Sequence, residues 1–230
     1  MQTAQHILDN PVWNALISGN KAFAQGTETV KFFPREVVPF VAFEEETPAH
    51  FDELYDIMAI DTPVLLFTVN DLKIPESWSV LIEIPGYQMV YNGSPLPELQ
   101  YDEIVPLTVE HVPQILELIK LTNPGPVFSR TIEFGNYEGI FKDGQLVAMT
   151  GQRLHPYGYI EVSAVCTHPD YSGRGYAKQL VLRQTRHILE SACIPFLHVR
   201  RDNSRAISVY NSLGFEIRKD VTFIVIQKKG

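Results

Sequence analysis

The chain has 230 residues, of which 45% are hydrophobic and 20% charged, a balance typical of a globular protein. No apolar run reaches the ~18–20 residues of a membrane-spanning helix, and the N-terminal segment MQTAQHILDNP lacks the basic and apolar regions of a signal peptide, so no membrane partner is expected. The net charge of −8 argues against a nucleic-acid partner, and two cysteines, Cys166 and Cys193, are too few for a disulfide scaffold, so we expect a reduced, cytoplasmic protein.

The first 100 residues predict a small α/β unit. Helical segments alternate with strand-like ones in the order LDNPVWNALIS, ETVKFFP, VVPFVAF, PAHFDELYDIM, PVLLFTV and WSVLIEI. The composition changes at residues 92–100, NGSPLPELQ, where an Asn-Gly turn precedes two prolines and no apolar periodicity remains. We therefore predict two domains, an N-terminal α/β lobe over residues 1–98 and a second domain over residues 99–230.

The sequence of the second half predicts elements in the order β-α-(α)-β-β-β-α-β-α-β, which includes one hairpin. The predicted segments are a strand at 101–108, a helix capped by Thr108, a hairpin at 137–154, a strand at 159–169, a long helix after residue 175, a strand at 194–202, a short helix at 203–215 and a strand at 222–227. The long helix has one apolar side, formed by Ala177, Leu180, Val181, Ile188 and Ala192. These patterns predict an α/β (α+β) fold in which helices flank a sheet.

The loop before the long helix has the composition of an anion-binding site. Gly173 and Gly175 lack side chains, so backbone amides there can approach a ligand closely, and the following helix N-terminus adds a positive dipole end. The loop is not a Walker loop, and Lys178 occupies the third glycine position of the dinucleotide-binding fingerprint. Taken alone, the two glycines are equally consistent with a plain tight turn.

Two neighbouring motifs make the chain similar to a known family. Ser172-Gly173-Arg174-Gly175-Tyr176-Ala177, between a strand and a basic amphipathic helix, resembles the acetyl-CoA-binding loop of the GNAT superfamily of N-acetyltransferases. Residues 202–216, DNSRAISVYNSLGFE, resemble a second segment of that family, with Asn203, Ala206, Tyr210, Gly214 and Phe215 in register. The resemblance covers roughly residues 100–230, and Ser172 departs from it where the family usually has Gln or Arg.

The N-terminal half is loosely similar to the degenerate companion lobe of glycine N-acyltransferase-like members of the family, on the segment NPVWNAL. For the second half, the resemblance implies a mixed central sheet of GNAT type with flanking helices. It also implies acetyl-CoA or another acyl-CoA as a co-substrate and no covalent enzyme intermediate.

The resemblance further implies a set of ligand-binding residues. The strand at 159–167 is expected to splay from the strand near 194–200, so that pantetheine pairs with backbone at Val165, Cys166 and Thr167. The pyrophosphate is expected beside Ser172, on the amides of the adjoining loop residues, which are Gly173, Arg174, Gly175, Tyr176 and Ala177. Asn203 is expected to touch the pantetheine.

Acyl transfer to an amine requires an acid for the departing thiolate and a route for the amine's proton. The family segment makes Tyr210 the expected acid, the alternative being a packed tyrosine with a solvated hydroxyl. Glu161 is the leading proton acceptor, and a cross-strand ion pair is the equally weighted alternative. His155 and His198 are minor candidates for the base, and His168 is assigned to loop structure.

Other reactive groups give weaker signals. Cys166 is expected to be a small core residue and not a nucleophile, and no metal-binding spacing occurs, so no metal is expected. Residues 1–100 carry 14 Asp and Glu but 4 Lys and Arg, whereas basic residues crowd residues 174–219. Such a basic region suits a small polyanionic ligand, although scattered surface charge has the same composition.

These observations favour an N-acyltransferase that acts on a small primary amine by direct attack. A module that binds acyl-CoA without fast turnover, as a sensor or regulator, is the alternative, and acetylation of protein N-termini is a third possibility. The sequence leaves the acceptor, the acyl chain length and the choice between monomer and homodimer open.

Overall fold

Eleven strands and five α-helices are present in residues 6–98 and 102–230, the part of the chain that the computed structural model describes. The strands are β1 (Gln25–Gly26), β2 (Val30–Phe32), β3 (Val41–Phe43), β4 (Val64–Thr68), β5 (Trp78–Tyr91), β6 (Ile104–Pro106), β7 (Glu138–Lys142), β8 (Gln145–Gln152), β9 (Tyr159–Thr167), β10 (Ile194–Arg200) and β11 (Phe215–Lys228). The helices are α1 (Pro11–Leu16), α2 (Pro48–Ile57), α3 (Val112–Thr122), α4 (Tyr176–Glu190) and α5 (Ser204–Asn211).

Eight of these strands form one mixed sheet in the order β4-β11-β5-β10-β9-β8-β7-β6. β9 and β10 run parallel, because helix α4 carries the chain back between them, and the other neighbours in the sheet are antiparallel. The predicted α/β class, with a mixed sheet and flanking helices, is confirmed. A separate three-stranded sheet contains β1, β2 and β3.

The N-terminal half contributes directly to the large sheet. β5 lies between β10 and β11 and pairs with β11 from Trp78 to Tyr91. This long partner explains why β11 begins at Phe215, seven residues earlier than the predicted strand at 222–227. The large sheet therefore contains strands from both halves of the chain. The predicted domain boundary adjoins residues 99–101, which lie outside the described residues, and the division into two domains stays a prediction.

Helix α4 crosses one face of the sheet and buries the expected apolar side. Leu180, Val181 and Ile188 are fully buried, as the helical spacing predicts. Ala192 does not belong to this face, because the helix ends at Glu190 and Ala192 is an exposed residue with a positive φ of 58°. Helix α3 packs in a different cluster, with α1 and the N-terminal aromatic residues.

Candidate active site

The glycine loop has the backbone conformation that its composition predicts. Gly173 and Gly175 both have φ of +82°, a conformation that other residues rarely adopt. Gly175 is the N-cap of α4 and supplies no side chain to cap the first turn, so the first amides of this 15-residue helix face the loop. Arg174 is exposed, and its guanidinium carbon lies 4.7 Å above the Tyr171 ring.

A cavity of about 400 Å³, the loop cavity, lies beside this helix N-terminus. It brings together ten of the twelve residues expected from the sequence, and Arg174 and Glu161 do not line it. The ten are Val165, Cys166, Thr167, Ser172, Gly173, Gly175, Tyr176, Ala177, Asn203 and Tyr210. Lys178 and Arg205 also line the loop cavity, so that positive side chains accompany the helix dipole.

A second cavity of about 490 Å³, the central cavity, adjoins the first. The two share the segment Val165–Thr167 and also Tyr210 as lining. The central cavity lies where β9 and β10 separate, because these strands pair at three positions only, which end at Glu161 and Phe196. The expected splay is therefore present.

A bulge in β9 interrupts the sheet at this point. Met149 lies opposite Cys166 and Gly151 opposite Ser163, so Ala164 and Val165 together face one residue of β8, and Ala164 has φ of +53°. A bulge of this kind breaks the regular ladder of hydrogen bonds and turns backbone groups in a new direction. Val165, one of the residues expected to pair with pantetheine, lies within this bulge and lines both cavities.

Tyr210 projects from α5 into the junction of the two cavities. The residue is 7% exposed, and its ring packs edge-on against Phe215 at 6.3 Å between centroids. Burial, with a smaller contribution from the neighbouring Cys166 thiol, raises the pKa of Tyr210 far above its usual value, so the hydroxyl keeps its proton. Asn203 is the N-cap of the same helix, and its Oδ1 accepts a hydrogen bond from the Ala206 amide at 3.1 Å.

Glu161 lies in a buried cluster and forms an ion pair. A cross-strand ion pair is the alternative to the role of proton acceptor. Its side chain is fully buried, and Arg153 donates to it through Nε at 2.8 Å and through Nη2 at 2.6 Å. His198 donates from Nδ1 to Oε1 at 2.6 Å, and the Leu154 amide lies 3.4 Å from Oε2. Burial alone raises the pKa of Glu161, but Arg153 and His198 outweigh burial and hold it at about 2.

The proton on His198 can be assigned from its neighbours. Arg218 donates to Oε1 of Gln88, so the Gln88 amide nitrogen faces both the Leu8 carbonyl, at 2.9 Å, and Nε2 of His198, at 3.0 Å. Nε2 therefore accepts and Nδ1 carries the proton. Burial lowers the pKa of His198 although Glu161 opposes this, which favours the neutral imidazole.

The remaining candidates are placed as follows. Cys166 is buried, which raises the pKa of its thiol to about 12, so it is not a reactive thiolate. The Thr167 hydroxyl is buried with no hydrogen-bond partner among the described residues. His168 accepts a hydrogen bond from the Asp170 amide within the loop, and His155 lines neither the loop cavity nor the central cavity.

Arg153 is a site residue that the sequence patterns did not reveal. It directly follows β8 and lies between Glu161 and the central cavity. A signal was present, because an arginine that directly follows a buried strand, eight residues before a glutamate in the next strand, suggests a cross-strand pair.

The described residues contain no group of three or more His, Cys, Asp or Glu able to hold a metal ion, and none of their helices has the length and apolar composition to cross a bilayer.

Comparison with known proteins gives a match over nearly the whole chain. A structure described as a putative acetyltransferase from the GNAT family of Novosphingobium aromaticivorans is 32% identical and covers 98% of this chain and 100% of that one, with a TM-score of 0.91. The chain belongs to the GNAT family. Within this GNAT protein, residues 137–224 also match the model of the FR47-like protein family.

Curated relatives match this GNAT protein over shorter lengths. Mycothiol acetyltransferase of Mycolicibacterium smegmatis is 33% identical over 89 residues, which are 35% of this chain and 30% of the relative. N-alpha-acetyltransferase RimI of Mycobacterium tuberculosis is 33% identical over 101 residues, 40% of this chain and 61% of the relative. The matched segments thus span 30% and 61% of the lengths of these two relatives.

Proposed function

We propose that this protein is an N-acetyltransferase that transfers the acetyl group of acetyl-CoA to the primary amine of a small molecule. The observation that carries the proposal is the junction of the loop cavity and the central cavity at Val165–Thr167 and Tyr210. One cavity has an anion-binding helix N-terminus, and the other is open to a second reactant. Relatives named as acetyltransferases support acetyl as the transferred group.

The donor is proposed to lie in the loop cavity. The amides from Gly173 to Ala177 would hold the pyrophosphate, with Lys178 and Arg205 as nearby cations. The pantetheine would follow β9 from Thr167 to Val165, where the neighbouring strand has separated and the sheet edge is available for pairing. The unpartnered Thr167 hydroxyl suits such a polar ligand.

Acetyl transfer is proposed to proceed by direct attack. The amine nitrogen forms a bond to the thioester carbonyl carbon, and the carbon–sulfur bond then breaks to release CoA. Backbone donors in the β9 bulge, the Val165 amide first among them, would stabilise the developing oxyanion. Tyr210 would give its hydroxyl proton to the departing sulfur, and the proton lost by the nitrogen would restore the phenol, so that no phenolate accumulates.

Glu161 is the proton acceptor expected from the sequence, but its environment supports a different role. A carboxylate with four donors and a pKa of about 2 is a weak base, and its side chain is fully buried. We propose that Glu161 positions Arg153 and His198 at the wall of the central cavity. The positive Arg153 would favour the neutral form of a bound amine, which is the form that attacks.

The proposal is tested by titrating the protein with acetyl-CoA and then measuring CoA release in the presence of primary amines. We expect micromolar donor binding and amine-dependent release of free thiol. Absence of binding to acetyl-CoA and to longer acyl-CoA would contradict the proposal.

A second function is favoured by one specific observation. The described residues that line the central cavity include no Asp or Glu, and the lining His198 is already hydrogen-bonded to Glu161 behind it. This is compatible with a cytoplasmic acyl-CoA sensor that turns over slowly. Tight donor binding without CoA release, across small amines and a peptide with a free N-terminus, would support the sensor.

A further inference from the structure

A third cavity opens beside the central cavity, away from the glycine loop. This side cavity has a volume of about 150 Å³ and shares Arg153, His198, Val199 and Arg200 with the central cavity. A group that enters the central cavity therefore has a direct way into the side cavity.

Four apolar side chains form the wall of the side cavity, namely Phe40, Leu65, Ile84 and Phe223. Pairing between strands holds them together: Ile84 lies opposite Phe223 in the β5–β11 ladder, and Phe40 bridges to Leu65. Three of the four come from the N-terminal half: Phe40 precedes β3, Leu65 lies in β4 and Ile84 lies in β5. The segment Pro124–Pro126, after α3, lines the side cavity as well.

The charged groups at the wall are positive. Arg153 lines both the central and the side cavity, and its guanidinium carbon lies 4.9 Å from the Phe40 ring centroid. Arg200 also lines both, and no Asp or Glu is among the described residues that line either one. Both arginines are paired with carboxylates that do not line the cavities, Arg153 with Glu161 and Arg200 with Asp202, so a second ammonium group on the acceptor would find no free carboxylate to pair with.

We propose that the side cavity is the acceptor subsite and that the acceptor is a primary amine with an uncharged apolar substituent about as large as an aromatic ring. A dry cavity of ~150 Å³ lined by Leu, Ile and Phe is large enough for benzene, which sets this size. The inference rests on the proposed function, because it assigns the second substrate of that site. Burial of the ring against these side chains would supply most of the acceptor's binding free energy.

The subsite is tested by a matched pair of substitutions in β5. Ile84→Trp fills the side cavity, whereas Ile82→Trp adds the same side chain two residues away on the same strand face, at a position that is 51% exposed and outside the cavity. The probes are neutral product amides, N-benzylacetamide and N-methylacetamide, titrated into each protein. Thermal unfolding of both variants verifies that they are folded.

We expect N-benzylacetamide to bind the wild type and Ile82→Trp with equal affinity and to bind Ile84→Trp at least ~10-fold more weakly, with N-methylacetamide unaffected. Failure of the wild type to bind N-benzylacetamide in preference to N-methylacetamide would overturn the inference. Equal binding by both variants would overturn it too.

Steady-state rates with two amines test the apolar subsite and the proposed acetyltransferase activity separately. We expect kcat/KM for benzylamine to exceed that for methylamine at least ~10-fold in the wild type, and the ratio to fall towards one in Ile84→Trp. Release of CoA with no preference for benzylamine would leave the acetyltransferase standing and remove the apolar subsite. Lack of donor binding would remove the acetyltransferase, while the amide titrations would still decide whether the subsite exists.

Discussion

Arg153 binds Glu161 through two hydrogen bonds, of 2.8 and 2.6 Å, between neighbouring antiparallel strands at the wall of the central cavity. Glu161 is fully buried and Arg153 nearly so, with 11% of its side chain exposed. A buried pair of this kind stabilises a protein little relative to apolar residues, but loss of one partner leaves an uncompensated charge.

Arg153→Met should therefore destabilise the fold by about 3–5 kcal/mol, because it leaves the Glu161 carboxylate buried without its main partner. The free energy of unfolding from urea denaturation measures this. Arg153→Met combined with Glu161→Leu should recover a large part of the loss. As a control, Glu133→Ala, in an exposed Arg130–Glu133 pair, should leave the midpoint almost unchanged. A similar, small change in both single variants would mean that the buried pair is not formed.

Acid should weaken the fold in two steps. The pKa of His198 is lowered by burial, so its contribution to stability is present above pH 6.5 and is lost as the pH falls below that value. The pKa of Glu161 is lowered to about 2, so its contribution is lost as the pH falls from about 4.5 towards 2. The unfolding midpoint between pH 7.5 and 5.5 should fall less steeply in His198→Gln than in the wild type. His187→Gln, at a side chain that is 38% exposed, should keep the wild-type slope.

Tyr210→Phe should lower turnover by ~10²-fold or more and leave acetyl-CoA affinity nearly unchanged, because it removes the hydroxyl donor but keeps the buried ring. Steady-state rates of CoA release and donor titration measure the two effects separately. Tyr157→Phe is the matched control, since Tyr157 is 50% exposed and lines none of the three cavities. Equal rates for Tyr210→Phe and the wild type would exclude Tyr210 from the reaction.

The parts of the site that could be predicted depend on local patterns. The glycine loop, the hairpin turn at Asp143-Gly144 with two positive φ values, and the helix that carries Tyr210 each follow from a few consecutive residues. The two family motifs, at residues 172–177 and 202–216, lie in these same segments. For this reason the loop residues and Tyr210 were predictable as one site.

The parts that were missed depend on contacts between distant segments. Gln88 and His198 are 110 residues apart, and the hydrogen bond between them fixes the imidazole proton that His198 donates to Glu161. The insertion of β5 between β10 and β11 is equally non-local, because an apolar strand pattern predicts a strand but not its neighbours. That insertion places Ile84 opposite Phe223 in the wall of the side cavity, a contact that no local sequence pattern signals.

Replacement of either loop glycine should weaken donor binding. Gly173→Ala and Gly175→Ala each place a Cβ in open space, so their cost of about 1 kcal/mol comes from the positive φ of +82°, and relaxation of the loop would redirect the amides. We expect the Kd for acetyl-CoA to rise ~10-fold or more. Gly158→Ala is the control, because Gly158 has φ of +77° and open space around its Cβ but lies outside the three cavities. An equal loss of affinity in the control would trace the effect to general destabilisation.

The pH dependence of the acetylation rate should reflect the ionisation of the amine substrate and not the ionisation of a general base in the enzyme. Glu161 stays ionised above pH 7 with its pKa of about 2, and burial lowers the pKa of His198 below its usual 6.5, so neither group titrates between pH 7 and 9. For a simple alkyl amine, kcat/KM should rise about tenfold per pH unit up to the pKa of the free amine, near 10. The kcat profile should level off at a lower pH, because Arg153 favours the neutral amine in the complex. Donor affinity measured at each pH serves as the control, and a plateau of kcat/KM above pH 7 would instead reveal a general base.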